Sequence, residues 1–96
     1  MKFEWDTAKN EANIAKHGIG FERAKAIFDN PVLTGIDDRF DYGELRLTSI
    51  GIIGATAVLV VIHTDRNGIC RIISARPATR TERRKYDTAL QKGIIS

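Results

Sequence analysis

The run Val58-Leu59-Val60-Val61-Ile62 constrains the fold more than any other feature of the sequence. Five consecutive apolar, mostly β-branched residues without polar alternation describe a strand that is apolar on both faces, and such a strand belongs in the centre of a sheet. Its neighbours are close at hand. Residues 44–52, 56–63 and 69–76 are three runs rich in Val, Ile, Leu and Thr. Short turns join them, Ile53-Gly54-Ala55 and Thr64-Asp65-Arg66-Asn67-Gly68, and Asn67-Gly68 is a strong hairpin signal.

The first half reads differently. Lys2-Phe3-Glu4-Trp5 alternates, which predicts a short strand with Phe3 and Trp5 on one face. Asp6 suits a helix N-cap, residues 7–17 carry a small apolar stripe, and Gly18 is a natural stop. A second helix is expected over 21–29, burying Phe21, Ala24, Ile27 and Phe28, and ending at Asn30-Pro31. A strand over 32–36 follows. At the other end Pro77 closes the last strand, and Thr79-Arg80-Thr81-Glu82 fits a capping box for a helix over 80–91. The expected order is β-α-α-β-β-β-β-α. It describes one small α+β domain over residues 1–96, with an antiparallel sheet and helices on one side of it.

Several classes of function are excluded at this point. One cysteine, Cys70, cannot build a disulfide framework, a zinc knuckle or an iron–sulfur site, and it is compatible with a reducing cytoplasm. The sequence has no Gly-rich phosphate loop, no HExxH and no GxSxG. The longest uncharged stretch, residues 47–62, is broken by Gly51 and Gly54 and is too short for a membrane span, and no apolar run follows Lys2 as in a signal peptide. A cytoplasmic chain without cofactor or metal is expected. Asp37, Asp38 and Asp41 have the composition of a metal loop but lack the Gly and distal Glu of an EF-hand, and read as solvated turn residues.

Charge is distributed unevenly. Residues 1–65 hold 7 Lys/Arg against 10 Asp/Glu, whereas residues 66–96 hold 8 against 2, and six of the nine arginines lie in that last third. Arginine suits bidentate phosphate contacts and stacking on bases, so a nucleic-acid partner is one reading; a solvated basic face, or one covered by an acidic protein, is the other. Arg76 at the end of a strand and Arg80 at the start of a helix could converge on one anion near the helix N-terminus, with Arg83 and Arg84 a turn further on. Strict alternation places Arg71, Ile73 and Ala75 on one side of the last strand and Ile72, Ser74 and Arg76 on the other. Glu44 and Arg46 share a face: a general base with a phosphate-steadying partner, or an ordinary ion pair. His63 ends the central strand and is either a general base or acid or a structural residue, and His17 precedes Gly18, where a histidine stabilises a helix C-terminus. A two-histidine nuclease would need both in one cleft. Phe40 and Tyr42 are candidates for stacking on bases, and Cys70 reads as inert packing.

Two segments resemble the BrnT toxin family. The first carries Trp5-Asp6, Lys9, Asn13, Lys16-His17-Gly18, Phe21 and Ala24. The second carries 71–76, Ala78-Thr79-Arg80, Glu82-Arg83 and Tyr86. Gly43-Glu44 and Arg46 match the family's middle segment, where a polar residue usually stands in place of Leu45. The resemblance implies a RelE-like fold and the toxin of a type II toxin–antitoxin pair, a ribonuclease that halts translation by cutting RNA, free or on the ribosome. It also implies a ribbon-helix-helix, BrnA-like antitoxin through which DNA is bound. By motif match it carries Glu44, Arg46, Arg71, Arg76, Arg80 and Arg83 into the site. RNA can cleave itself once its 2′-hydroxyl is activated and its phosphate charge neutralised, so the expected chemistry asks for no metal. The alternative is a non-catalytic basic module or co-repressor acting with a DNA-binding partner.

Overall fold

A computed structural model describes residues 1–38 and 43–96 of the chain. The double-sided apolar run lies inside β4 (Ala57–Arg66), the middle strand of a five-stranded sheet. The other strands are β1 (Lys2–Trp5), β2 (Val32–Asp37), β3 (Arg46–Ile53) and β5 (Ile69–Pro77), and the order across the sheet is β1-β5-β4-β3-β2. Asn67 (φ 55°) and Gly68 (φ 82°) both adopt the left-handed region, the backbone that a two-residue hairpin turn between β4 and β5 requires. The hairpin is therefore tighter than the five-residue turn expected, and β4 runs on to Arg66.

The sheet is mixed rather than antiparallel. β1 pairs with β5 in parallel, Phe3 opposite Cys70 and Trp5 opposite Ile72, while the other neighbours are antiparallel. Helices cover both faces, not one. On what we call the back face, α2 (Phe21–Ala24) and the 3₁₀ segment Lys25–Asp29 bury Phe21, Ala24 and Ile27 against Ile53, Leu59, Val61, Cys70, Ile72 and Ala75. On the front face, Tyr86 of α3 (Arg80–Gln91) packs with Ile50, Val58, Val60 and Ile62. Alternate residues of β4 feed the two cores, which explains why that strand has no polar position between Val58 and Ile62. Each such side chain contributes roughly 1.5–3 kcal/mol on burial.

Caps follow the sequence closely. The Asp6 side chain accepts from Lys9 N at 3.0 Å to open α1 (Thr7–His17), and Gly18 (φ 71°) closes it, donating to Ile14 O at 2.7 Å. Thr79 and Glu82 exchange side-chain and backbone bonds as a capping box for α3. The 21–29 helix starts as α and tightens to 3₁₀ at Lys25.

β5 contains a bulge. Ile62 faces Ser74 but His63 faces Ile72, so Ile73 is an extra residue without a partner of its own. Strict alternation consequently fails across it. Ile72 and Ala75, expected on opposite sides, both lie in the back core at 1% and 0% exposure. Arg71 and Arg76, also expected apart, both lie on the front face, opposite Thr64 and Val60.

Candidate active site

The front face is covered by α3 only in part, and the open part carries the polar residues. Two adjacent clefts cross it. The first, about 410 Å³, lies between α1 and the end of β5 and is lined by Lys9, Asn13, Lys16 and His17 from the helix and by Ser74 and Arg76 from the strand, over Ile62 and Ile73. The second, about 310 Å³, lies toward β2, with Asp37, Asp38, Glu82 and Lys85 on its walls and Thr48 and Ile50 below. Arg76 and Ile62 line both.

The clefts differ in charge. Among the described residues, the first gathers Lys9, Lys16 and Arg76 with an imidazole and has no carboxylate in its lining, whereas the second holds three carboxylates against Arg76 and Lys85. An anion is therefore favoured on the α1 side. On α1 the four residues fall at i, i+4, i+7 and i+8, one stripe of the helix turned to the cleft. The helix is held there by Asn13, whose carboxamide donates to Ile19 O and Ala75 O, both at 2.8 Å, and accepts from Ala75 N at 3.1 Å.

Arg76 is oriented by Glu82. Nη1 and Nη2 donate to Oε1 and Oε2 at 2.7 and 2.8 Å, a two-bond fork, and the same Oε1 accepts from Thr79 N at 2.8 Å. Hydrogen bonding from Arg76 is the main reason the Glu82 carboxyl is held down to about 2, with the Thr79 backbone adding to it against a cost of burial. The capping glutamate thus ties the helix start to the strand end.

Arg76 and Arg80, expected to converge, line no common cleft. Arg76 turns to Glu82, and α3 presents Glu82 and Lys85 to the second cleft, while Arg80, Arg83 and Arg84 are exposed and line neither cleft. Glu44, Arg46 and Arg71 lie toward the far end of the face. Arg71 pairs with Glu4 at 3.3 Å, Arg66 with Glu44 at 3.4 Å, and Arg46 Nε lies 3.9 Å from the Glu44 carboxylate. Arg46 stands opposite Asp37, and Arg71 opposite both Glu4 and Thr64. This end is a lattice of paired charges, not a pool of cations. Phe40, Tyr42 and Asp41 lie outside the described residues.

His63 lies on the back of the sheet and lines neither cleft. Its ring is buried on the back, Nε2 bonded to Ser49 Oγ at 2.7 Å and the ring edge-on to Phe28 at 5.1 Å, and Ser49 Oγ in turn meets Thr34 Oγ1 at 2.8 Å. Burial lowers its pKa. The two histidines are thus in different places, and only His17 reaches the cleft. Burial, reinforced by Asp65, pushes the Cys70 thiol up to about 11, consistent with packing. Among the described residues no group of three or more His, Cys, Asp or Glu side chains is placed to hold a metal ion, and no helix is long and apolar enough to cross a membrane. Composition pointed to the arginine-rich third; Lys9 and Lys16 stood in the family motif without a site role, and His17 was read as a helix-end residue or as one half of a two-histidine cleft. Their helical spacing was the signal available.

A family model described as the ribonuclease toxin BrnT of type II toxin–antitoxin systems matches residues 5–82. The chain belongs to the BrnT ribonuclease toxin family. The crystal structure of the Brucella abortus ribonuclease toxin BrnT has a similar fold, with 26% sequence identity and a TM-score of 0.62 over 83% of this chain and 99% of that one. No curated protein sequence matches the chain. As a BrnT toxin it acts on RNA and is paired with an antitoxin. The matched region takes in α1 and runs through Glu82, so both walls of the first cleft lie within it.

Proposed function

We propose that this BrnT toxin is a metal-independent endoribonuclease that cuts single-stranded message in the α1–β5 cleft and so arrests translation in the cytoplasm. The observation that carries this reading is the gathering of Lys9, Lys16 and His17 opposite Arg76 in one cleft. RNA brings its own nucleophile, the 2′-hydroxyl. The protein has to hold the phosphate, meet the charge that grows on its oxygens, and move one proton. Arg76, fixed by the Glu82 fork, and the two lysines supply preorganised positive charge for the pentacoordinate phosphorus. Ser74 adds a hydroxyl on the cleft floor. Arg80, Arg83 and Arg84 on exposed α3, and Arg71 with Arg46 further along the same face, contact the flanking backbone and contribute affinity rather than chemistry, while Glu44 pairs with Arg66 and Arg46. A ribbon-helix-helix antitoxin neutralises the toxin and carries the complex to DNA.

Induced expression followed by sequencing of RNA ends tests the reading. Wild-type chain should produce new internal ends and growth arrest. Arg76→Ala should reduce cleavage by about 100-fold or more with the fold intact, the usual scale for losing one strong charge-stabilising donor. Arg80→Ala and Arg83→Ala should weaken RNA binding and lower its salt dependence, leaving cleavage at saturating RNA unchanged. Absence of new RNA ends, or undiminished toxicity of Arg76→Ala, would overturn it.

A further inference from the structure

The reaction needs a group to take the proton from the 2′-hydroxyl, and the arginines and lysines of the cleft are charged donors with nothing to accept it. Glu44 is engaged by Arg66 and lines neither cleft, and Glu82 has both carboxylate oxygens committed to Arg76. His63 is shut away behind the sheet. Imidazole is the side chain that exchanges protons near neutral pH.

We infer that His17 is the catalytic base of the cleft: it lines the same cavity as Arg76, on the last turn of a helix whose place is fixed by the Asn13 bonds to β5. This inference rests on the ribonuclease reading of the cleft. A ring nitrogen of His17 takes the 2′-hydroxyl proton as the 2′-oxygen bonds to phosphorus. The bond from phosphorus to the 5′-oxygen breaks, and that oxygen takes a proton from water. The proton on His17 then passes to solvent. The products are a 2′,3′-cyclic phosphate and a 5′-hydroxyl, with charge and atoms balanced and no other reagent consumed.

The site has the arrangement this demands. Among the described residues, the charged groups facing His17 across the cleft are Arg76 of β5, with Glu82 of α3 behind it, and those beside it are Lys9 and Lys16 of α1. The three cations are of the sign that holds a phosphate within reach of the imidazole, and the Glu82 carboxylate is taken up by Arg76. Gly18 ends the helix immediately after His17 with a left-handed turn, so no further side chain of the helix closes the cleft at that end.

The test uses the purified chain and a short end-labelled single-stranded RNA, with a copy carrying a 2′-deoxy sugar at the cut position as control. Wild-type single-turnover cleavage should rise with pH in proportion to deprotonation of one group and then level off. His17→Gln and His17→Ala should bind RNA with affinity within about threefold of wild type, cut about 100-fold or more slowly, and lose that rising limb. Free imidazole should restore part of the rate to His17→Ala. A flat wild-type profile, variants that cut at wild-type rate with the same profile, or a loss explained wholly by weaker RNA binding would each overturn the assignment, and the first two leave the ribonuclease reading standing. Wild-type chain that cuts the deoxy copy equally well, or cuts neither RNA, removes that reading and this inference with it.

Discussion

Asn13 on α1 and Ala75 on β5 exchange two hydrogen bonds, amide for amide: Nδ2 donates to Ala75 O at 2.8 Å and Oδ1 accepts from Ala75 N at 3.1 Å. The carboxamide does what a neighbouring strand would do. β1 pairs with β5 only from Ile69 to Ile72, and past that point Asn13 takes over the edge of β5 at Ala75. The same side chain also binds Ile19 O, so one buried residue fixes the helix, the turn after it and the strand that carries Arg76.

Removing it should therefore cost stability and activity together. Asn13→Ala leaves the Ala75 amide pair and the Ile19 carbonyl without partners in a dry setting, and should destabilise the chain by about 2–4 kcal/mol. Asn13→Asp keeps an acceptor for Ala75 N but loses the donor and brings a charge, and should be no better. Urea unfolding of the two variants measures this, and cleavage assayed well below their midpoints should also fall, because α1 carries Lys9, Lys16 and His17. A change under about 0.5 kcal/mol in either variant would mean that the edge holds without Asn13.

Much of the frame was legible before any coordinate. The Val58–Ile62 run, the Asn67-Gly68 turn, the Asp6 and Thr79 caps and the Gly18 stop each act through a neighbour a few residues away, and each appears as read. What depended on distant partners was not. Nothing local says that β1 joins β5 in parallel at the far edge of the sheet. The extra residue Ile73 reverses the alternation behind it, so Arg71 and Arg76 could not be placed on one face by counting in twos. The apolar character of β4 on both sides was itself a sign that helices would cover both faces. For the site, the density of arginine drew attention to the last third, yet an arginine's role depends on the carboxylate it meets. Arg76 was identified from the sequence, but its fork with Glu82 emerges only when the capping box and the strand end are brought together in space.

Acid should lower the stability of the chain in two separable stages. Glu82 has its pKa depressed to about 2 by Arg76, so the folded state holds it ionised where the unfolded chain would protonate it; that contribution is complete above about pH 4.5 and is lost as the pH falls toward 2. His63 also has a lowered pKa, because burial disfavours its charged form, so below about pH 6.5 the unfolded chain binds a proton that the folded chain resists, and stability falls at up to about 1.4 kcal/mol per pH unit. His63→Gln, able to keep a bond to Ser49, should abolish the upper step and leave the lower one, while Glu82→Gln should do the reverse. Melting temperatures followed from pH 8 to about pH 3 resolve the two; an unchanged upper step in His63→Gln would assign it elsewhere.

The back core leaves no room between β3 and the 3₁₀ segment, and two glycines show the contrast. A Cβ added at Gly51 would lie 2.8 Å from Ile27 Cβ and 3.1 Å from Val32 Cγ1, and the first of these atoms is fixed to the backbone and cannot rotate away. A Cβ added at Gly35, on the edge strand β2, meets no atom within 4 Å. Gly51→Ala should force the 3₁₀ segment off the sheet and cost about 1–3 kcal/mol, whereas Gly35→Ala should change stability by less than about 0.5 kcal/mol. For a domain of this length that is a drop of roughly 4–8 °C in Tm for each kcal/mol at Gly51, against a shift of a few degrees at most at Gly35. Both substitutions lie away from the α1–β5 cleft, so cleavage by folded Gly51→Ala measured well below its Tm should match wild type. A Gly51→Ala chain as stable as Gly35→Ala would show that the 3₁₀ segment is not seated on β3 as described.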